Sequence, residues 1–378
     1  MEIPQSSELQ TTPGWHILTV KEKNKNVPSV MYYIPEDAPL TNKIAGFDLV
    51  NTLIWSDRGD YTPRGNNNWV WRSEEIPSLF CDLYKYTPGE EQWTIVVFSN
   101  YVSTGLEELR TRVEGMFSDL DIACVTEGTS FLFFASLRSD DYQKPNIGMW
   151  NLFKERYRLA YDEELVPDER SFYVGDRAGD PTAEDPMFRK GGVEVSPEER
   201  QRLGVGIEEA FGDDSLFAKR IGLNFYLPNF LPSQPEPSFP PEGQQELIIM
   251  VGQQGSGKTT WATWIAESLD YTLIANEETP RAVVAKDKKK RLRLISQFLQ
   301  EGRNVIVDAT HPSRDARAEI IAIATKYNIP VRIFWVSRPG RYYNELRENP
   351  ISEMALRIYT SRFEQPIPEE GAEVVRLV

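Results

Sequence analysis

G-Q-Q-G-S-G-K-T-T, residues 252–260, is the stretch whose reading decides the fold of the C-terminal half. The apolar run Leu247-Ile248-Ile249-Met250-Val251 precedes it, and W-A-T-W-I-A, residues 261–266, follows with helical character. Strand, then G-x-x-x-x-G-K-[ST], then helix is the context a phosphate-binding P-loop requires. Gly252, Gly255 and Gly257 let the backbone curl around an anion, and successive N–H groups with the helix N-terminus form the nest that holds it. Lys258 is expected to reach the β/γ-phosphates of a nucleoside triphosphate and Thr259 to help hold Mg²⁺, with Thr260 completing the nucleotide-binding set. A nucleoside triphosphate and Mg²⁺ are therefore the expected cofactors.

Outward from this loop, 378 residues are enough for two domains with separate cores. No apolar run approaches the length of a membrane span, and the polar start M-E-I-P-Q-S-S does not read as a signal peptide. The expectation is an intracellular soluble protein with no membrane partner. Cys81 and Cys124 are the only cysteines, too few for a disulfide framework, and His16 and His311 the only histidines, so histidine-based catalysis or metal binding is not expected. The net charge of -15 is unevenly shared. Residues 243–378 carry 19 Lys+Arg against 17 Asp+Glu, the remainder 23 against 40. The acidic half is a poor surface for a polyphosphate backbone. Lys286, Lys288, Lys289, Lys290, Arg291 and Arg293 form the dense basic run of the other half; it reads either as a solvated helix face or as a phosphate-contacting patch that guides a strand end.

Six prolines between positions 228 and 241 interrupt any regular element there. Residues 228–242 are thus expected to form an extended connector between a domain at 44–227 and a second at 243–378, with 1–43 as an N-terminal extension. Before the connector, I-A-G-F (44–47) runs into Asp48, W-T-I-V-V-F (93–98) into Ser99, and S-F-Y-V (171–174) into Gly175-Asp176. Helical patterns at 105–116 and 148–160 intervene. Polar residues at the ends of such strands mark the carboxyl edge of a parallel sheet. After the connector the pattern recurs, with strands at 271–275, 304–307 and 331–336. The fold class is α/β, two doubly wound domains.

In the second domain, Asp308-Ala309-Thr310-His311-Pro312 follows a buried-looking strand, where an acidic residue can reach a nucleotide-bound cation or a substrate hydroxyl, or cap the next helix. Asn276-Glu277-Glu278 offers carboxylates that can accept a proton from an attacking hydroxyl, or serve as surface charge. Arg338, Arg341 and Arg347 lie where small phosphotransferases place a mobile lid.

These residues together resemble the polynucleotide kinase 3′-phosphatase family. In the C-terminal half the P-loop, Asn276 with an acidic residue two positions on, D-x-T-x-P at 308–312, and I-Y-x-x-R-F-E-x-P at 358–366 are similar to that family's kinase domain. In the N-terminal half A-G-F-D-L-x-x-T-L-I (45–54), F-S-N (98–100), K-P-x-x-G-M-W (144–150), V-G-D-x-A-G (174–179) and D-x-x-F-A (214–218) resemble its haloacid dehalogenase-like phosphatase domain. The resemblance runs from about Ile44 to the C-terminus, and K-P-x-x-G-M-W is its most specific element. It implies that Asp48 attacks a 3′-phosphate to form an aspartyl-phosphate, that Ser99 holds phosphate oxygens, that Lys144 neutralises charge, and that Asp48 and Asp176 bind Mg²⁺. In the kinase half it implies transfer of the γ-phosphate of ATP to a 5′-hydroxyl of a nucleic-acid end, with Glu278 at the position of the catalytic carboxylate, Asp308 beside it, and Arg347 as lid arginine.

The chain departs from the family at two places. The phosphatase motif D-x-D-G-T reads Asp48-Leu49-Val50-Asn51-Thr52 here, so the general acid–base carboxylate is replaced by Val50. The N-R-D of the kinase reads Asn276-Glu277-Glu278. Three readings follow: a 5′-hydroxyl kinase whose phosphatase activity is weak or lost, a fully bifunctional end-healing enzyme, or a non-catalytic nucleotide-binding protein serving in an assembly with protein partners.

Overall fold

The computed structural model describes residues 9–60, 62–63, 65, 68–85, 92–101, 105–125, 128–180, 182, 186–189, 192–206, 209–231, 237–239, 244–344, 347 and 349–377. The chain divides into two compact units: residues 1–54, 64–67 and 71–233 form the first, and residues 55–63, 68–70 and 234–378 the second. The sequence pattern kept 44–227 together, because nothing in it reports where the short 55–63 and 68–70 segments pack.

The first unit begins with β1 (Gly14–Glu22) and β2 (Lys25–Ile34), followed by β3 (Ile44–Phe47). A separate two-stranded sheet pairs β4 (Ile54–Ser56) with β5 (Trp69–Trp71). Then come α1 (Ile76–Tyr84), β6 (Thr94–Asn100), α2 (Leu106–Cys124), β7 (Leu132–Ser136), α3 (Gly148–Tyr161), β8 (Phe172–Val174), α4 (Pro197–Leu203), α5 (Asp213–Ile221) and β9 (Asn224–Tyr226). Seven strands form one sheet in the order β1-β2-β7-β6-β3-β8-β9. The five from β7 to β9 are parallel, while the β1–β2 hairpin joins β7 antiparallel. Residues 14–34 are therefore part of this sheet. Ile44–Phe47 is wholly buried and β6 nearly so, as expected for central parallel strands covered on both faces. On α2, Leu109, Val113, Met116 and Leu120 recur at helical spacing and are the buried face. The two cysteines, too few for a disulfide framework, form a single bond with each other: Cys81 of α1 to Cys124 of α2. Their positions 43 residues apart gave no sign of this, since the pairing depends on how two helices pack.

The second unit contains β10 (Leu247–Val251), α6 (Lys258–Leu269), β11 (Thr272–Ala275), β12 (Val283–Val284), α7 (Lys288–Gln300), β13 (Val305–Asp308), α8 (Arg314–Lys326), β14 (Val331–Val336), α9 (Gly340–Asn344), α10 (Glu353–Arg362) and β15 (Glu373–Leu377). Its sheet is parallel throughout, ordered β12-β11-β13-β10-β14-β15. Side-chain oxygens set the helix starts: Asp287 accepts from Lys290 N, Ser313 from Ala316 N and Ser352 from Ala355 N. Helices cover both sheet faces, and the two cores on either side contain Ile249, Val307, Ile333 and Trp335, and Ile248, Met250, Ile306 and Phe334, respectively.

Two buried ion pairs tie loops to this sheet. Arg332 reaches Glu246 with Nε–Oε2 at 2.7 Å and donates to the Ser238 carbonyl at 2.6 Å, so the end of the connector is held to β14. Arg317, fully buried, makes a two-pronged pair with Glu370, both bonds 2.7 Å, and donates to the carbonyls of His311 and Glu364. Glu364 N in turn donates to Pro312 O at 2.8 Å. The motif at 308–312 and the distant tail at 358–366 are thus one physical unit, with Arg317 as its clamp. Among the described residues no helix is long and apolar enough to cross a membrane.

Candidate active sites

In the first unit, polar groups gather at the carboxyl ends of the central strands. Asp48 follows β3, and its N–H donates to Val174 O at 2.8 Å. Lys144 projects from the loop before α3, and Nζ lies 2.5 Å from Asp48 Oδ1, 2.6 Å from Asp214 Oδ1 and 2.9 Å from the Tyr173 hydroxyl. Asn100, at the end of β6, fixes that lysine's backbone by a reciprocal pair: Lys144 N donates to its Oδ1 at 2.8 Å, and its Nδ2 donates to Lys144 O at 2.9 Å. Ser99 is buried beside it. Asp176 follows β8 and, with Asp48 and Asp214, offers three buried carboxylates whose oxygens all lie within 4.8 Å of one another.

Electrostatics define what this cluster can hold. Burial, opposed by Lys144 and assisted by Asp214, pushes the Asp48 carboxyl up to about 6. Burial and the neighbouring Asp48 and Asp214 charges hold Asp176 well above the ordinary carboxylate range. Although burial alone pulls Lys144 down, Asp214 and Asp48 outweigh it and hold its ammonium above the usual lysine value. Three crowded carboxylates facing one lysine are an excess of negative charge that a divalent cation fits, with oxygen ligands suited to Mg²⁺. Asp48, Asp176 and Asp214 would hold the ion, which would neutralise charge on a bound phosphate.

A pH test follows. In the folded chain Asp48 keeps its proton up to about pH 6, higher than in the unfolded chain, so these carboxyls favour folding most in acid and least above that pH. A cation reverses this by requiring the ionised form. Saturating Mg²⁺, at ~100 times its dissociation constant, should add about 2.7 kcal/mol of stability. That gain should be present at pH 7.5, fall away as pH drops through about 6, and vanish in Asp176→Asn; melting curves with and without MgCl₂ measure it.

Val50 stands where the resemblance implies an acid–base carboxylate. Val50 is half-buried and pairs with Ile54, while Asn51 takes a left-handed backbone with φ +67°. Asn tolerates that conformation better than most residues, so the turn survives the loss of its glycine. In the sequence Asp214 stands out only as part of D-x-x-F-A, and Tyr173 only as part of an apolar run. Gly175 was the available signal: a Cβ there would lie 2.5 Å from Asp214 Cβ, so the glycine admits this carboxylate.

In the second unit the P-loop joins β10 to α6. Gly252, Gly255 and Gly257 have φ of +151°, +85° and +100°, and a Cβ on Gly255 would lie 2.3 Å from Gly340 O. Lys258 is buried with Nζ on Gln253 O at 2.6 Å, and burial lowers its ammonium to about 8. Thr259 donates to Asp308 Oδ2 at 2.7 Å, bringing together a hydroxyl and a carboxylate suited to a nucleotide-bound cation. Thr260 is exposed on the first turn of α6. Ser256 Oγ is buried in the loop without a hydrogen-bond partner among the described residues, a donor left for an anion. Asp308, at the end of β13, is raised by burial.

The structure thus assembles Lys258, Thr259 and Asp308. Glu277 and Glu278 are both exposed on the loop after β11, and Glu277 Oε2 lies 4.0 Å from Arg347 Nη2. The Arg341 side chain lies outside the described residues. The basic run divides on α7: Lys288 pairs with Glu319 at 2.8 Å, and Arg291 turns inward to Asn276, while Lys289 and Arg293 are exposed.

These two centres define a chain that joins a phosphatase-type domain to a P-loop kinase-type domain. The profile described as Polynucleotide kinase 3 phosphatase matches residues 43–231, half of the chain, and one described as AAA domain matches residues 247–346. The chain belongs to the polynucleotide kinase 3 phosphatase family. It is 26% identical over 356 residues to the bifunctional polynucleotide phosphatase/kinase of Schizosaccharomyces pombe, covering 88% of this chain and 78% of that one. A protein of Acanthamoeba polyphaga mimivirus is 25% identical over 374 residues, 89% of this chain and 84% of its own length. An uncharacterized 20.8 kDa protein of Autographa californica nuclear polyhedrosis virus is 27% identical over 201 residues, covering 53% of this chain and 91% of that one.

Proposed function

We propose that this protein is an ATP-dependent kinase of 5′-hydroxyl nucleic-acid ends, and that its phosphatase half binds a 3′-phosphate and Mg²⁺ but turns over weakly. The observation that carries the kinase reading is the convergence of Lys258, Thr259 and Asp308 on one loop at the carboxyl edge of a parallel sheet. Lys258 would meet the β/γ-phosphates, Thr259 and Asp308 would hold a cation that neutralises their charge, and Arg347 would serve as the cation for the transferred group. A nucleic-acid acceptor is supported by the likeness to the Schizosaccharomyces pombe relative, a bifunctional polynucleotide phosphatase/kinase.

On this reading Asp48 is the nucleophile of the phosphatase half, Lys144 neutralises charge, and Asp176 and Asp214 would hold the metal; their clustering with Asp48 supports it. What is absent is a group at position 50 to protonate the leaving 3′-oxygen. Removing a general acid–base group slows such a reaction by about 10²–10⁴-fold. The reading is tested with one oligonucleotide carrying a 5′-hydroxyl and a 3′-phosphate, incubated with ATP and Mg²⁺ and followed by mass. Gain of a 5′-phosphate with slow or no loss of the 3′-phosphate supports it. Equally rapid change at both ends would show full bifunctionality, and no change at either end a non-catalytic protein.

A further inference from the structure

We infer that the turn at residues 57–60, although it lies in the stretch matched by the phosphatase profile, is a positioning element of the kinase half: it lies against Gln253 and so sets the phosphate-binding loop for ATP. The inference rests on the kinase reading above. Residues 55–63 and 68–70 belong to the second compact unit, while the profile runs over 43–231. Val70 packs on the core that contains Ile249, Val307, Ile333 and Trp335, and Trp55 is fully buried. The turn that follows β4 closes with Gly59 N donating to Ser56 O at 3.2 Å. Gly59 has φ +76°, and a Cβ there would lie 2.9 Å from Gln253 Oε1, 3.0 Å from its Cβ and 3.1 Å from its Cδ. Only glycine both takes this backbone without strain and lets the turn come so close. Thr360 on α10 touches both partners: its Oγ1 accepts from Gln253 Nε2 at 3.4 Å and lies 3.5 Å from Asp60 Oδ1.

Gln253 is the residue through which the turn reaches the loop. It is buried, its side chain meets Gly59 and Thr360, and its backbone carbonyl accepts from Lys258 Nζ at 2.6 Å and from Ser256 N at 3.2 Å. The loop is gripped elsewhere too. A Cβ on Gly252 would lie 2.6 Å from Val336 O, and one on Gly340 would lie 2.3 Å from Gln254 O. Close-packed groups pass a displacement on rather than absorb it. A side chain added at position 59 would therefore push Gln253, and with it Lys258 and the loop N–H groups, away from the arrangement that receives a triphosphate. Binding is strongest where that arrangement is already in place, so the cost falls on ATP affinity.

The test measures ATP binding at equilibrium in the presence of Mg²⁺ on the full chain, with kcat and KM for ATP and oligonucleotide beside it. Gly59→Ala should weaken ATP binding about tenfold and raise KM for ATP to match, leaving kcat and KM for the oligonucleotide within about twofold. In a Gln253→Ala background the same change should cost no more than about threefold, because the Oε1 and Cδ it meets are gone. Gly302→Ala controls for backbone strain. Its φ of +79° matches that of Gly59, and a Cβ there meets nothing within 4 Å, so ATP binding should stay within about twofold. Melting curves set a temperature at which every variant is folded. Unchanged ATP binding in Gly59→Ala, an equal loss in Gly302→Ala, or the same loss with and without the Gln253 side chain would overturn the inference. An unaltered chain that does not bind ATP would overturn the kinase reading itself, and shows this before any variant is compared.

Discussion

The Val50→Asp, Asn51→Gly double variant should release phosphate from a 3′-phosphorylated oligonucleotide about 10²–10⁴-fold faster than the unaltered chain. The proposed chemistry asks four things of the first unit: a nucleophile, a cation beside it, a metal site, and a proton donor for the leaving oxygen. Asp48 with Lys144 at 2.5 Å, and the cluster of Asp48, Asp176 and Asp214, meet the first three. Valine at position 50 cannot meet the fourth, because it has no proton to give or take. The backbone is ready for the change. Asn51 already lies at φ +67°, a conformation glycine adopts without strain, and Val50 is only half-buried, so a carboxylate there is not forced into the core. Val50→Asp alone should supply most of the gain, with Asn51→Gly easing the turn. Unchanged rates in both variants, with Mg²⁺-dependent stabilisation intact, would mean that the groove for the strand end has also been lost.

Lys258→Ala should abolish phosphoryl transfer to a 5′-hydroxyl, slowing it by at least about 10²–10³-fold, the usual consequence of removing one preorganised electrostatic donor. Lys258 is buried at the start of α6, and its ammonium is held on Gln253 O at 2.6 Å, where a phosphate oxygen can displace that carbonyl. Alanine is the best helix former, so the variant removes the charge without unfolding α6. Coinciding melting curves check this. The same lysine predicts a pH dependence. Burial lowers it to about 8, so the empty loop loses its positive charge as pH rises through that value, and KM for ATP should climb above about pH 8. Bound phosphate restores the charge, so kcat should change less than KM over the same interval.

What the sequence made legible is what local backbone dictates. The P-loop glycines must adopt left-handed or otherwise rare conformations, and their spacing before Lys258 brings the lysine, Thr259 and the strand-end Asp308 to one place. Asp48, Ser99 and Asp176 are visible in the same way, as polar residues terminating apolar runs that become parallel strands. Features that depend on packing between distant segments were not visible. The bond between Cys81 and Cys124 needs two helices side by side. The entry of β1 and β2 into the sheet needs β7 as a partner. Asp214 reaches the carboxylate cluster with Asp48 and Asp176 only because Gly175 leaves room for it.

The most direct test of the central claim is transfer of labelled γ-phosphate from ATP to an oligonucleotide with a 5′-hydroxyl, run beside Lys258→Ala. The account predicts label at the 5′ end with the unaltered chain and none with the variant. ATP binding without any labelled product would contradict it, and would leave a nucleotide-binding protein whose two sites have kept their ligands and lost their chemistry.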